Sequence, residues 1–151
     1  SHRRQLRHLI EFAIAIETAG NIVAKTLSPL ALTRAKEGLR FSTKGLSELE
    51  GMHDRIIANI SLASNVLVSR DVDIARQLVE EKSEFSRRQR KSRKSHLKRL
   101  AAGLIESLET SDLHLETSLA FKEFNSQIAT VAYPILSRKG KLLNSRLVDE
   151  D

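Results

Sequence analysis

The sequence predicts an all-α protein, an antiparallel bundle of four long helices. Three observations carry this. Apolar residues recur at spacings of three and four along most of the chain, the period of a helix. Only 2 Pro and 6 Gly interrupt 151 residues, few breakers for long helices. No segment pairs alternating apolar residues with a tight Asn-Gly turn, so no hairpin competes. The length suits one core, and the 40% of apolar residues can fill it. The bundle is expected over residues 1–137. A flexible tail is expected over residues 138–151, of mixed charge and ending Asp149-Glu150-Asp151.

The first helix is expected from Arg3 to Leu27, with its seam along Leu6, Leu9, Ile10, Ala13, Ile16, Gly20, Val23 and Leu27. Pro29 should end it, because the residue before proline avoids the α region. A short helical turn over Leu32–Lys36 closes at Gly38. The second helix starts at Ser42 or Thr43, whose hydroxyls can accept from free amides. Its seam reads Leu46, Leu49, His53, Ile56, Ile60, Ala63 and Leu67. An aspartate at Ile60 is therefore expected to be severely destabilising.

Asp71 and Asp73 suit the amino terminus of a third helix, with no firm stop before Ser107–Ser111. Its seam is Ile74, Leu78, Phe85, Gln89, Ser92, His96, Leu100 and Gly103, apolar at the ends and polar in the middle. Ser111 and Asp112 are expected to cap a fourth helix that reaches Tyr133. Its seam runs Leu113, Ala120, Phe121, Phe124, Ile128, Val131 and Ile135.

Composition excludes several chemistries. The chain has no Cys, so disulfides, thiolate metal sites and a cysteine nucleophile are out. No apolar stretch approaches the ~20 residues of a membrane span. No phosphate loop, nucleophile elbow or His-Glu-x-x-His motif occurs, and no catalytic residue and no enzyme activity are expected. The 5 His are scattered. His53 and His96 fall on seams and read as packing residues, and His114 as a local structural group. None shows paired metal-ligand spacing.

The net charge is +6. Its conspicuous source is a basic run: Arg87, Arg88, Arg90, Lys91, Arg93, Lys94, Lys98 and Arg99. At ~100° per residue these cations surround the helix except at Gln89, Ser92 and His96. The plain reading is a solvated face paired with neighbouring acids. The sharper readings are anionic lipid headgroups or an acidic protein partner. Nucleic acid is disfavoured, since no aromatics interleave the run to stack on bases.

A quieter pattern is an internal echo. Glu17-Thr18-Ala19-Gly20-Asn21-Ile22 matches Glu123-Phe124-Asn125-Ser126-Gln127-Ile128. Each reads Glu, two variable residues, a small residue, an amide and Ile. The spacing of four puts each Glu and its amide on one helix face.

That echo resembles the paired motif of the PhoU family, whose members carry two three-helix units, each with a Glu/Asp-x-x-x-Asp motif that binds metal. Three stretches are more specifically similar to the PhoU-like cytoplasmic domain of bacterial sodium/phosphate cotransporters. They are FSTKGLSELEGMHDRI at Phe41–Ile56, SHLKRLAAGLIESLETSDLHLE at Ser95–Glu116 and FNSQIATVAYPIL at Phe124–Leu136. The resemblance covers nearly the whole chain. It implies a regulatory or structural domain on the cytoplasmic face of the inner membrane. The membrane part of the same polypeptide would be a transporter importing phosphate with sodium. It also implies that two helices precede the first one here, and it allows pairing with a second copy.

The motif departs from the family pattern where its metal chemistry would live. Asn21 and Gln127 stand in place of the second carboxylates, leaving Glu17 and Glu123 as candidate ligands. The expectation is no iron cluster, no cofactor, and at most one weakly bound divalent ion. The alternative function is a free-standing helical adaptor that binds an acidic partner or a membrane surface through residues 87–99.

Overall fold

The computed structural model describes residues 1–138, and every regular element among them is helical. The expected tail over residues 138–151 lies outside the described residues, apart from Arg138 at the end of the last helix. Four long helices dominate: α1 (His2–Ile22), α3 (Thr43–Ser69), α4 (Val72–Ala101) and α6 (Ser111–Ala129). The shorter α2 (Ser28–Glu37), α5 (Ile105–Glu109) and α7 (Tyr133–Arg138) connect or extend them.

Pro29 does not stop the first helix. A π-helical stretch, Val23–Leu27, joins α1 to α2, and the Ser28 N–H donates to the Val23 carbonyl. Widening the turn just ahead of Pro29 makes room for its ring, which would otherwise press on the preceding turn. The real stop is Gly38, at φ +63°. Its N–H donates to Ala35 O and the Leu39 N–H to Arg34 O, a left-handed cap that β-carbon-bearing residues adopt at a cost.

The expected seam of α1 is also corrected. Ala15 and Ala19 are buried, and Phe12 packs against the cluster that holds Ala19. Leu6, Leu9, Ile10 and Ile16 of the expected seam are exposed, and so is Ile14. Apolar residues occupy more than one face of α1, and periodicity alone does not say which face meets a neighbour. The small alanines do, because they let α1 lie close against α6.

Ser42 caps α3 as expected: the Gly45 N–H donates to Ser42 Oγ at 3.0 Å. The buried face of α3 is Gly45, Leu49, Met52, Ile56, Asn59, Ala63 and Val66. This differs from the expected seam by a small rotation. Leu49, Ile56 and Ala63 stay, whereas His53 turns outward and Ile60 is 38% exposed. An aspartate at Ile60 would therefore keep much of its hydration.

The seam of α4 matches the expectation at Leu78, Phe85, Gln89, Ser92 and His96, all buried. Asp71 caps its start, with the Ile74 N–H donating to Oδ1 at 3.0 Å. The helix ends earlier than expected. Gly103 takes φ +75° and the Leu104 N–H reaches back to Arg99 O, so α5 begins afresh. Ser111 and Asp112 do not cap α6. Thr110 holds the cap position without a side-chain cap bond, and its own hydroxyl donates to Glu106 O. Tyr133 is not a terminus either, since a 3-10 turn at Thr130–Ala132 carries the chain into α7.

Helices α3, α4 and α6 pack against one another, and α1 packs along α6. At one end of this triangle Ala63, Val66, Leu78, Val79, Ile128, Ala132 and Leu136 form a dry cluster. Met52, Ile56 and Phe85 fill the middle, with Phe121 and Phe124 against them. Between these clusters Asn59 Nδ2 donates to Asn125 Oδ1 at 2.8 Å. Two buried amides facing each other fix the register of α3 on α6, because a slip would leave both unpaired.

Candidate functional site

The opposite end of the triangle is built from polar side chains. Two polar seams face each other there. Gln89, Ser92 and His96 come from α4, and His114 and Ser118 from α6. The imidazoles of His96 and His114 stack with centroids 4.5 Å apart and planes 4° apart. Gln89 Nε2 donates to Ser118 Oγ at 3.4 Å, and His96 Nε2 lies 3.2 Å from Ser111 Oγ. Phe41 closes this end edge-on against His114.

An ion pair runs through the layer. Arg99 Nη2 is 2.7 Å from Glu48 Oε1, with side chains only 11% and 13% exposed. Arg99 Nη1 also donates to Ser95 Oγ at 2.9 Å. His114 Nε2 stands 3.8 Å from the same Glu48 oxygen. Gly45 is required here by close approach. A β-carbon would sit 3.0 Å from Ser42 Oγ and 3.4 Å from both Arg99 and His114, displacing the cap that starts α3.

Both histidines are held neutral. Burial, followed by the neighbouring His96 and Arg99, lowers the pKa of His114 to about 4 against a weaker opposing contribution from the Gly45 backbone. His96 is lowered for the same reasons, burial first and Arg99 second, with Glu48 opposing. Charging either imidazole in this layer would mean hydrating it less well and placing it beside a guanidinium.

The basic run borders this layer. Arg87, Arg88, Arg90, Lys91, Arg93, Lys94 and Lys98 are exposed, in line with the helical-wheel reading. Arg99 is the correction: it is an interior residue, partner of Glu48, not part of the basic surface. Arg87 is tied to Glu84 by two hydrogen bonds, from Nε at 3.0 Å and from Nη2 at 2.6 Å. Between α3 and α4 the run forms one wall of an open groove, lined among others by Lys44, Ser47, Glu48, Arg88, Lys91 and Ser92.

The two motif helices are brought together, since α1 lies on α6 and Ala19 and Ile128 share a core. Their glutamates are not drawn into that contact. Glu17, Asn21 and Glu123 are exposed and Gln127 is half-buried. Among the described residues no three His, Asp or Glu side chains converge as a metal-ligand set. Sequence reasoning missed Glu48 and the pairing of His96 with His114. The signal was available in the spacing of His114, Ser118 and Asn125, a polar stripe of helical period complementary to the polar middle of the α4 seam.

Comparison with known proteins adds a context. No family model matches the chain, and no solved structure matches it. The chain is 34% identical over 135 residues to a Salmonella typhimurium protein named "Putative inorganic phosphate export protein YjbB". It is 33% identical over 135 residues to the proteins of the same name from Escherichia coli and Shigella flexneri. These matches cover 89% of this chain but 25% of each relative. The chain thus spans about a quarter of the length of the curated relatives it matches. No described helix is long and apolar enough to cross a membrane.

Proposed function

We propose that this chain is a regulatory or structural domain of a larger membrane protein that moves phosphate, with sodium as the coupling ion and no catalysis of its own. The observation that carries the reading is the coverage. Nearly all of this chain corresponds to a quarter of proteins named for phosphate export. A second observation supports it. The outer face of α1 exposes Leu6, Leu9, Ile10 and Ile14, each more than half exposed, and such a contiguous apolar stripe is what further chain of the same polypeptide would cover. The domain would then sit at the cytoplasmic face of the inner membrane, where anionic headgroups suit the seven exposed cations of residues 87–98. Those cations also favour the second reading, an adaptor gripping an acidic partner, and that reading needs no transporter.

The test is phosphate flux. In the native polypeptide the segment corresponding to residues 1–138 is excised and the rest is inserted in membrane vesicles of both orientations. Radiolabelled phosphate is followed with and without a sodium gradient. A domain of this kind predicts flux that persists but changes in rate or set point. The reading fails if excision leaves the flux unaltered in every condition, or if the intact polypeptide moves no phosphate.

A further inference from the structure

The groove between α3 and α4 holds about 370 Å³. Its walls are Lys44, Ser47 and Glu48 from α3, and Arg88, Lys91, Ser92 and Ser95 from α4, with Glu84 and Arg87 at its edge. We propose that this groove binds a tetrahedral oxyanion of the phosphate class, either free phosphate or a phosphate monoester.

Charge is the first argument. The two acids that line the groove are already answered, Glu48 by Arg99 at 2.7 Å and Glu84 by Arg87 at 2.6 Å. Lys44 and Lys91 make no ion pair among the described residues, and Arg88 reaches only the Gly51 carbonyl, at a long 3.5 Å. Three cations from two helices therefore face one open space. An anion there would gain from all three, with Arg88 offering the planar fork that matches two phosphate oxygens.

The second argument is independent of charge. Ser92 is 4% exposed and its hydroxyl has no hydrogen-bond partner. Burying a hydroxyl unsatisfied is costly, and such groups are rare unless something else completes them. Ser92 lines the groove, so a ligand oxygen can be that partner. Ser95, which also lines the groove, accepts at Oγ from Arg99 and keeps its own proton to donate. Hydroxyl donors interleaved with cations suit an anion carrying several oxygens. The groove has room beyond inorganic phosphate, so the organic part of a monoester is accommodated as well.

The oxyanion site stands on the groove alone, whereas phosphate as its physiological occupant rests on the function proposed above. Calorimetric titration of the 151-residue chain with inorganic phosphate and with glycerol phosphate tests the site. Saturable one-to-one binding is expected. Ser92→Ala keeps the charge and should weaken it roughly tenfold, the loss of one charge-assisted hydrogen bond, while Ser92→Thr should retain it. Arg88→Gln with Lys91→Gln should abolish it. Arg90→Gln with Lys94→Gln removes the same charge from outside the groove and should leave it unchanged. Melting curves establish that each variant is folded. Vesicles of phosphatidylcholine with and without phosphatidic acid separate the sources. Recruitment by phosphatidic acid, competed by free phosphate, assigns a headgroup, and titration without recruitment assigns the free anion. Absence of both, or equal losses in the Arg90/Lys94 and Arg88/Lys91 variants, overturns the proposal. A bound anion alongside a failed flux test would keep the site and remove the transporter.

Discussion

At the end of the bundle where α3 finishes and α4 begins, Val66, Leu78, Val79 and Leu136 are closed off from water without a polar atom among their side chains. At the other end α3, α4 and α6 bury Ser92, His96 and His114 around the Glu48–Arg99 pair. The apolar end is held by non-directional burial, which tolerates small displacements. The polar end rests on specific pairs such as Glu48 with Arg99, because a desolvated charge left without its partner costs free energy. The two ends are thus held by different means, one by dry packing and the other by specific polar pairs. The groove with the unpartnered Ser92 hydroxyl belongs to the polar one.

Substitutions at the two ends should sharpen that contrast. The largest expected effect is Glu48→Ala, which leaves the Arg99 guanidinium buried without its anion and should cost about 3–5 kcal/mol. Glu48→Leu combined with Arg99→Met should recover most of that loss, since replacing both charges removes the desolvation cost as well. Chemical denaturation of the three proteins checks this, and a double variant no better than Glu48→Ala would show that the pair is not what holds this end. At the apolar end Leu78→Ala should cost roughly 2–5 kcal/mol through lost burial and a cavity, and that loss should not vary with pH. Asn59→Ala should cost about 1–3 kcal/mol by stranding the Asn125 carbonyl.

Acid should find the polar end first. In the unfolded chain His114 takes a proton near pH 6.5, and in the folded protein only near pH 4. Between these values the unfolded chain binds more protons, so stability is full above pH 6.5 and falls as pH drops toward 4. His96 is shifted the same way. Melting temperature should fall across this window in the parent, and less in His114→Phe. An identical slope in both would assign the acid sensitivity elsewhere. The smallest effect is Ile60→Asp, at about 1–2 kcal/mol, because the residue is 38% exposed and the carboxylate can reach water. Melting well below the parent would restore the register that the α3 periodicity suggested.

The helices and the polar middle of α4 were legible because breakers are few and Gln89, Ser92 and His96 share one face. The orientation of α1 was not. Leu6 and Ile10 on one face and Phe12, Ala15 and Ala19 on another both satisfy a helical period, and only the neighbouring helix decides between them. Pro29 misled because a π turn absorbs what an α turn cannot. The candidate site was half visible. Its α4 side followed from periodicity, but the contact of Arg99 with Glu48 joins residues 51 positions apart in sequence, and nothing local announces it.

Native-state hydrogen exchange read at pH 7.5 and pH 5 tests most directly the contrast between a packed end indifferent to acid and a polar end sensitive to it. Amides of residues 45–52, 92–99 and 111–118 should lose protection on acidification. Amides around Val66, Leu78 and Ile128 should keep most of theirs. Equal loss of protection at both ends, or loss confined to the apolar end, would contradict it.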